Sequence, residues 1–166
     1  MDKRYKLLLI IAPLVIVSDQ WVKLIVDRNM LLYQSIEVLE NFFHITYIRN
    51  KGAAFGILSG ADASLRIPFF IAVSIVAIVL ILYVLKTHKG QSPVFPVALS
   101  LILGGAIGNM IDRVRMGEVI DFLDVHWYQN HWPAFNIADS AITVGMGFLI
   151  YQMITEKEDS DASDSD

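Results

Sequence analysis

The chain has 166 residues, 55% of them hydrophobic and only 18% charged, with a mean hydropathy of +0.52. That is too apolar, and the apolar residues too clustered, for a water-soluble domain of this length. The absence of cysteine excludes a disulfide framework and thiolate chemistry, and the formal charge of −4 arises beyond Thr155, where six acids face only Lys157.

The first apolar block is Leu7–Val26. Lys3, Arg4 and Lys6 ahead of it resemble the start of a cleaved signal peptide, but no small-x-small site follows. Hydrophobicity instead resumes past Asp19-Gln20 through Trp21, Val22, Ile25 and Val26, which predicts a retained membrane span. Asp19 and Lys23 stand four apart and so share one helical face. Ionisable groups inside a membrane are expensive unless paired, so the two are expected to clamp this helix to another as structural polar residues.

The connection Asp27–Arg66 contains "IEVLENFFHITYIRNKGAAFGI", β-branched and aromatic in partial alternation with a break at Asn50-Lys51-Gly52. It predicts two short strands and a turn, a small sheet near the membrane surface. Ile67–Leu85 and Val94–Ile111 follow as the second and third spans, joined by the short loop Lys86–Pro93. Each block can cross a hydrocarbon layer of roughly 30 Å at about 1.5 Å per helical residue. The third carries Gly104-Gly105-x-x-Gly108, whose small-xxx-small spacing admits a close neighbour helix. Asn109 then lies three and four residues before Asp112 and Arg113, so these three are expected on one face near the helix end. Two readings stay open: helix termination with Arg113 snorkelling to the headgroups, or a polar cluster that orients a substrate.

The second connection, Asp112–Ala134, holds the strand-like run "EVIDFLDV" with Asp121 and Asp124. His126 and His131 in "HWYQNH" lack a zinc-type spacing, so no metal site is expected, and Trp127 and Trp132 read as interfacial aromatics. The fourth span, Phe135–Ile154, opens on "FNIADS", where Asn136 and Asp139 make a capping-box-like pair. A single connection joins the third and fourth spans, which brings Asp121 and Asp139 to one side at similar depth. Two carboxylates at a partly dry boundary cannot both ionise cheaply, and such a pair shares a proton. One member can then activate water while the other polarises a carbonyl. Ser18 and Ser140 lack a neighbouring base, no phosphate loop or dinucleotide motif is present, and no basic face for nucleic acid survives outside the loops.

Lysines and arginines divide evenly between the two sides, but Lys3, Arg4 and Lys6 lead the first helix. Both termini are therefore expected in the cytoplasm, with the two long connections outside. "EKEDSDASDSD" has no apolar face to bury, which divides the chain into a four-span domain, 1–155, and a disordered acidic tail, 156–166. The expected fold class is an all-α integral membrane protein: four transmembrane helices and a small extracytoplasmic β-sheet built mainly from the first outer loop.

Taken together, "DQWVK" (Asp19–Lys23), "RNKGAAFG" (Arg49–Gly56), "GGAIGNMIDR" (Gly104–Arg113), "GEVIDF" (Gly117–Phe122) and "FNIADS" (Phe135–Ser140) resemble the lipoprotein signal peptidase, or signal peptidase II, family. They occur in the family's order across nearly all of residues 1–154. The resemblance implies a bacterial aspartyl endopeptidase of the inner membrane, metal-independent and without cofactor. Such an enzyme removes signal peptides from prolipoproteins just before a cysteine carrying diacylglycerol, and the cyclic peptide globomycin inhibits it. It implies Asp121 and Asp139 as the catalytic pair, and Asn50, Asn109, Arg113 and Asn136 as residues that hold substrate. Asp19, Lys23 and Asp112 then act in support. The expected partners are lipid-modified prolipoproteins and membrane lipids, with the protein a monomer. The alternative from the residues alone is a small proton-linked transporter or a membrane scaffold, because intramembrane Asp, Lys and Arg also mark proton relays. No internal repeat of the transporter kind is evident.

Overall fold

In the computed structural model, which describes residues 2–52, 58, 60–88 and 92–163 with side chains to residue 155, every apolar block is helical. The helices are α1 (Lys3–Asn29), α2 (Ala63–Thr87), α3 (Val94–Met116) and α4 (Ile137–Ser163), and all four contain a stretch long and apolar enough to cross a membrane. The apolar stretch of α4 runs Ile137–Thr155, and its backbone stays helical to Ser163. The acidic side chains of 156–166 and the "AAFGI" part of the first connection lie outside the described residues.

Local chemistry starts and stops these helices. The carboxylates of Asp2 and Asp62 accept hydrogen bonds from the backbone of Arg4 and Ser64, which caps α1 and α2. Gly117 ends α3 in the left-handed conformation with φ 72°, its N–H bonded to the Arg113 carbonyl. A Cβ there would also meet Ile67 at 2.6 Å.

The bundle is arranged around α3, which packs against each of the other helices. Half of its span is buried, against 6% for α2, whose apolar surface is left for lipid. The glycine row of α3 permits this. A Cβ on Gly104 would stand 2.8 Å from Val15 of α1, and one on Gly105 would stand 2.3 Å from the Ala138 carbonyl of α4. Small residues here replace a hydrophobic driving force, which is absent between helices in lipid, with close backbone contact. Ala12, Ile81, Leu85, Leu99 and Leu103 form one apolar cluster. Val26, Tyr47, Ile120 and Phe122 form a second under the sheet. Along α1, Asp19 and Lys23 fall between the two.

The sheet is antiparallel with strand order β1-β2-β3-β4. Strands β1 (Ser35–Leu39) and β2 (Phe43–Asn50) come from the first connection, β3 (Val119–Trp127) and β4 (Asn130–His131) from the second. One expectation is corrected. The hairpin turn falls at residues 40–42, with Asn41 at φ 57°, and Asn50 instead ends β2. Asn is one of the few residues that adopts the left-handed region readily, which is why the turn settles there. The second connection adds β3, the longest strand, which lies inside the sheet and pairs with β2. Residues 119–122 are buried in succession, so this stretch lacks the alternation of a one-sided strand.

Gly105→Ala is expected to destabilise the protein by about 1–3 kcal/mol, the usual range for overpacking. Gly147→Ala on α4, where a Cβ meets nothing within 4 Å, is the matched control and should not lower the thermal unfolding midpoint in detergent.

Candidate functional site

The site is built from the end of α1 outward. The Lys23 ammonium is 2% exposed and lies 2.8 Å from Asp19 Oδ2 and 2.7 Å from Asp112 Oδ2. It also donates to Asn109 Oδ1 at 3.0 Å. Each carboxylate uses its oxygens to hold another element. Asp19 Oδ1 accepts the Ala138 N–H of α4 at 2.9 Å, and Asp112 Oδ2 accepts the Ile120 N–H of β3 at 3.3 Å. Gln20 completes the group by donating to Asp112 Oδ1 at 2.9 Å and to the Gly108 carbonyl at 3.1 Å. Sequence reasoning missed Gln20. Its only signal is position, a polar residue inside an apolar run beside Asp19.

Beyond this cluster sit the two carboxylates. Register places Asp121 on β3 opposite Ile48 of β2. Asp139 occupies the first turn of α4, where the predicted capping box forms in full. Asn136 Oδ1 accepts the Asp139 N–H at 2.9 Å, and Asp139 Oδ2 accepts the Asn136 N–H at 3.3 Å.

Amides connect the pair. Asn109 Nδ2 donates to Asp139 Oδ1 at 2.7 Å, and Asn136 Nδ2 donates to Asp121 Oδ1 at 2.7 Å and to Asn109 Oδ1 at 3.2 Å. Asn50 Nδ2 donates to Asp121 Oδ2 at 3.0 Å, at the point where β2 ends. Every carboxylate oxygen of the pair is thus held by a neutral N–H donor. Burial foremost, and then the charge of Asp139, push the Asp121 carboxyl up to about 7, against the opposing effect of the Asn50 and Asn136 hydrogen bonds.

A cavity of about 1140 Å³ opens onto this pair. Of the residues predicted for the site, Asn50, Asn109, Arg113, Asp121 and Asp139 line it. Asn136 does not; it is fully buried behind Asp121. The α3 residues divide rather than act as one face. Asp112 turns to Lys23, while Arg113 lies over the Phe70 ring at 4.8 Å and reaches the Gly52 carbonyl at 3.4 Å. The wall also includes Tyr33, Arg49 and Trp132, which sequence reasoning did not assign to it, and Ile142 and Val144 on α4. Away from the cavity, His126 and His131 stack with ring centroids 4.5 Å apart, and His131 Nδ1 lies 2.9 Å from Asp124.

Apolar helices around a buried ion cluster, with two carboxylates facing a cavity at the sheet end, define a multi-pass membrane protein with an enclosed polar site. The family model described as signal peptidase (SPase) II matches residues 11–155, and the chain belongs to that family of membrane proteases. A lipoprotein signal peptidase of Syntrophotalea carbinolica is 52% identical over 89% of this chain and 90% of its own length. One of Geobacter metallireducens is 51% identical over 95% of this chain and 96% of its own. The fold is similar to that of a bacterial membrane enzyme solved by the in meso method at 2.3 Å resolution. That match has a TM-score of 0.83 and 37% identity, and covers 92% of this chain and 90% of that one.

Lys23→Met removes the cation and strands two buried carboxylates. It is expected to destabilise the protein by about 3–5 kcal/mol, read as a lower unfolding midpoint in detergent. Neutralising the acids in the same chain, as Asp19→Asn with Asp112→Asn, should recover much of that loss.

Proposed function

We propose that this protein is an aspartic endopeptidase of the bacterial inner membrane that removes the signal peptide from diacylglyceryl-modified prolipoproteins, cutting before the lipidated cysteine. The observation that carries the reading is the convergence of Asp121 and Asp139 on one cavity, joined by Asn109 and Asn136. Membership of the signal peptidase II family supports the same substrate class, and it sets aside the transporter and scaffold alternatives.

In this mechanism the carboxylates share one proton and hold a water between them. The ionised member takes a proton from the water as its oxygen bonds to the scissile carbonyl carbon, and the protonated member gives its proton to the carbonyl oxygen. The resulting diol collapses with cleavage of the C–N bond. The leaving nitrogen is protonated and the shared proton is restored, so no metal or cofactor enters the reaction. Asn50 and Arg113 face the substrate backbone, while Asn136 works from behind by holding Asp121. Ile142 and Val144 form an apolar wall, and Val144 is half exposed on the helix surface. The cavity wall therefore continues into the lipid-facing side, where the diacylglyceryl group enters laterally. Both termini lie in the cytoplasm, the site faces the outer leaflet, and the enzyme acts as a monomer.

Asp121→Asn or Asp139→Asn is expected to lower conversion of a synthetic prolipoprotein lipopeptide by about 10²–10⁴-fold, the usual worth of acid–base catalysis. The variants should insert normally, and wild-type turnover should persist with a chelator present. Full processing by either variant would overturn the dyad.

The pH profile gives a second test. The active form holds one proton, so kcat/KM should fall as pH rises through about 7, where Asp121 loses its proton. The Asn50 amide stabilises the charged Asp121, so Asn50→Ala should raise that carboxyl further and move the basic limb to higher pH. A limb that stays in place would show that Asn50 does not act on Asp121.

A further inference from the structure

A second cavity, of about 700 Å³, lies at the end of the bundle away from the sheet, between the start of α1, the end of α2 and the start of α3. Its charges are unevenly used. The Arg4 guanidinium bonds to the Asp2 carboxylate at 2.7 Å, and it donates to the carbonyls of Leu85, at 3.1 Å, and of His88. Arg4 therefore neutralises Asp2, the one acid of the cavity wall among the described residues, and ties α1 to the open carbonyls of α2.

Lys3 and Lys86 also line the cavity, and neither has an ion pair or hydrogen bond among the described residues. His88 stacks on Phe95 with centroids 3.8 Å apart, and its Nε2 is shielded from solvent without a partner among the described residues. The start of α3 also faces this region: its cap residue, Pro93, makes no side-chain bond, and the Ser92 hydroxyl accepts the Val94 N–H at 3.3 Å. Leu7 and Pro96 supply an apolar wall, and Ile10 and Tyr83 carry it onto the exposed surface of the spans.

We propose that this cavity holds the phosphate head group of an anionic phospholipid, with Lys3 and Lys86 bearing the charge and the acyl chains lying along α1 and α2. Basic pockets between helices at a membrane boundary have this chemistry. The apolar wall leading onto the spans selects a lipid over free phosphate, since a small anion would leave that wall uncovered. The lipid would join α2, the least buried helix, to the rest of the bundle.

The test is delipidated protein in detergent, titrated with phosphatidylglycerol, phosphatidylcholine or inorganic phosphate. Retained lipid is counted by native mass spectrometry and the unfolding midpoint is followed. Phosphatidylglycerol should be retained and should raise the midpoint, while the other two should do neither. Each lysine removed should weaken retention about fivefold, and Lys3→Ala with Lys86→Ala roughly 30-fold. Lys3→Arg with Lys86→Arg should keep it, and Arg28→Ala at the sheet end should behave as wild type. Equal retention by the double alanine variant, the same loss with Arg28→Ala, or inorganic phosphate matching the lipid would each overturn the proposal.

Discussion

One buried ammonium group organises the working end of this molecule. Lys23 sits between Asp19 and Asp112, and those two acids reach the backbone N–H groups of Ala138 and Ile120. Ala138 is the residue before Asp139, and Ile120 the residue before Asp121. A cation on α1 thereby sets the position of both carboxylates without touching either. Two acids around one lysine would be costly in a low-dielectric interior if left with bare lone pairs. The backbone donors and Gln20 occupy those lone pairs, and that satisfies the cluster. The same bonds that solvate the acids locate β3 and α4.

The next layer outward changes in kind. Around Asp121 and Asp139 the donors are asparagine amides and a backbone N–H group, and among the described residues no ammonium or guanidinium bonds to either carboxylate. An arginine in contact would hold a carboxylate firmly ionised. Amides orient it and leave its charge adjustable, so burial and the neighbouring acid are free to push the Asp121 carboxyl up to about 7. The separation of a charged inner layer from a neutral outer one is what lets a rigid scaffold carry a titratable site.

Much of this was legible in the sequence, for reasons that differ by feature. The four spans announce themselves because apolar length is a direct physical requirement of crossing lipid. The capping box of Asn136 and Asp139 was readable because it is local, a three-residue spacing that closes on itself. The pairing of Asp19 with Lys23 was readable for the same reason. What escaped depends on contacts between distant segments. Helical spacing puts Asn109, Asp112 and Arg113 on one face, but only packing decides that Asp112 turns inward and Arg113 toward the cavity. Asn136 was expected at the substrate and is instead fully buried, a matter of depth that spacing does not encode. The interior place of β3 was hidden because strand order is set by pairing with β2, far away in the chain.

The reciprocal bonds at the start of α4 carry one more consequence. Asp139 is oriented by the same hydrogen bonds that nucleate its helix, and its neighbour Ala138 is anchored on α1. The direction of Asp139 and the reach of Asn136 to Asp121 both depend on the first turn of α4 being formed. A chain with three helices in place holds the pieces of the site without its geometry. The polar centre therefore exists only with α4 in place, because Asp139 and the amide that holds Asp121 both belong to the start of that helix.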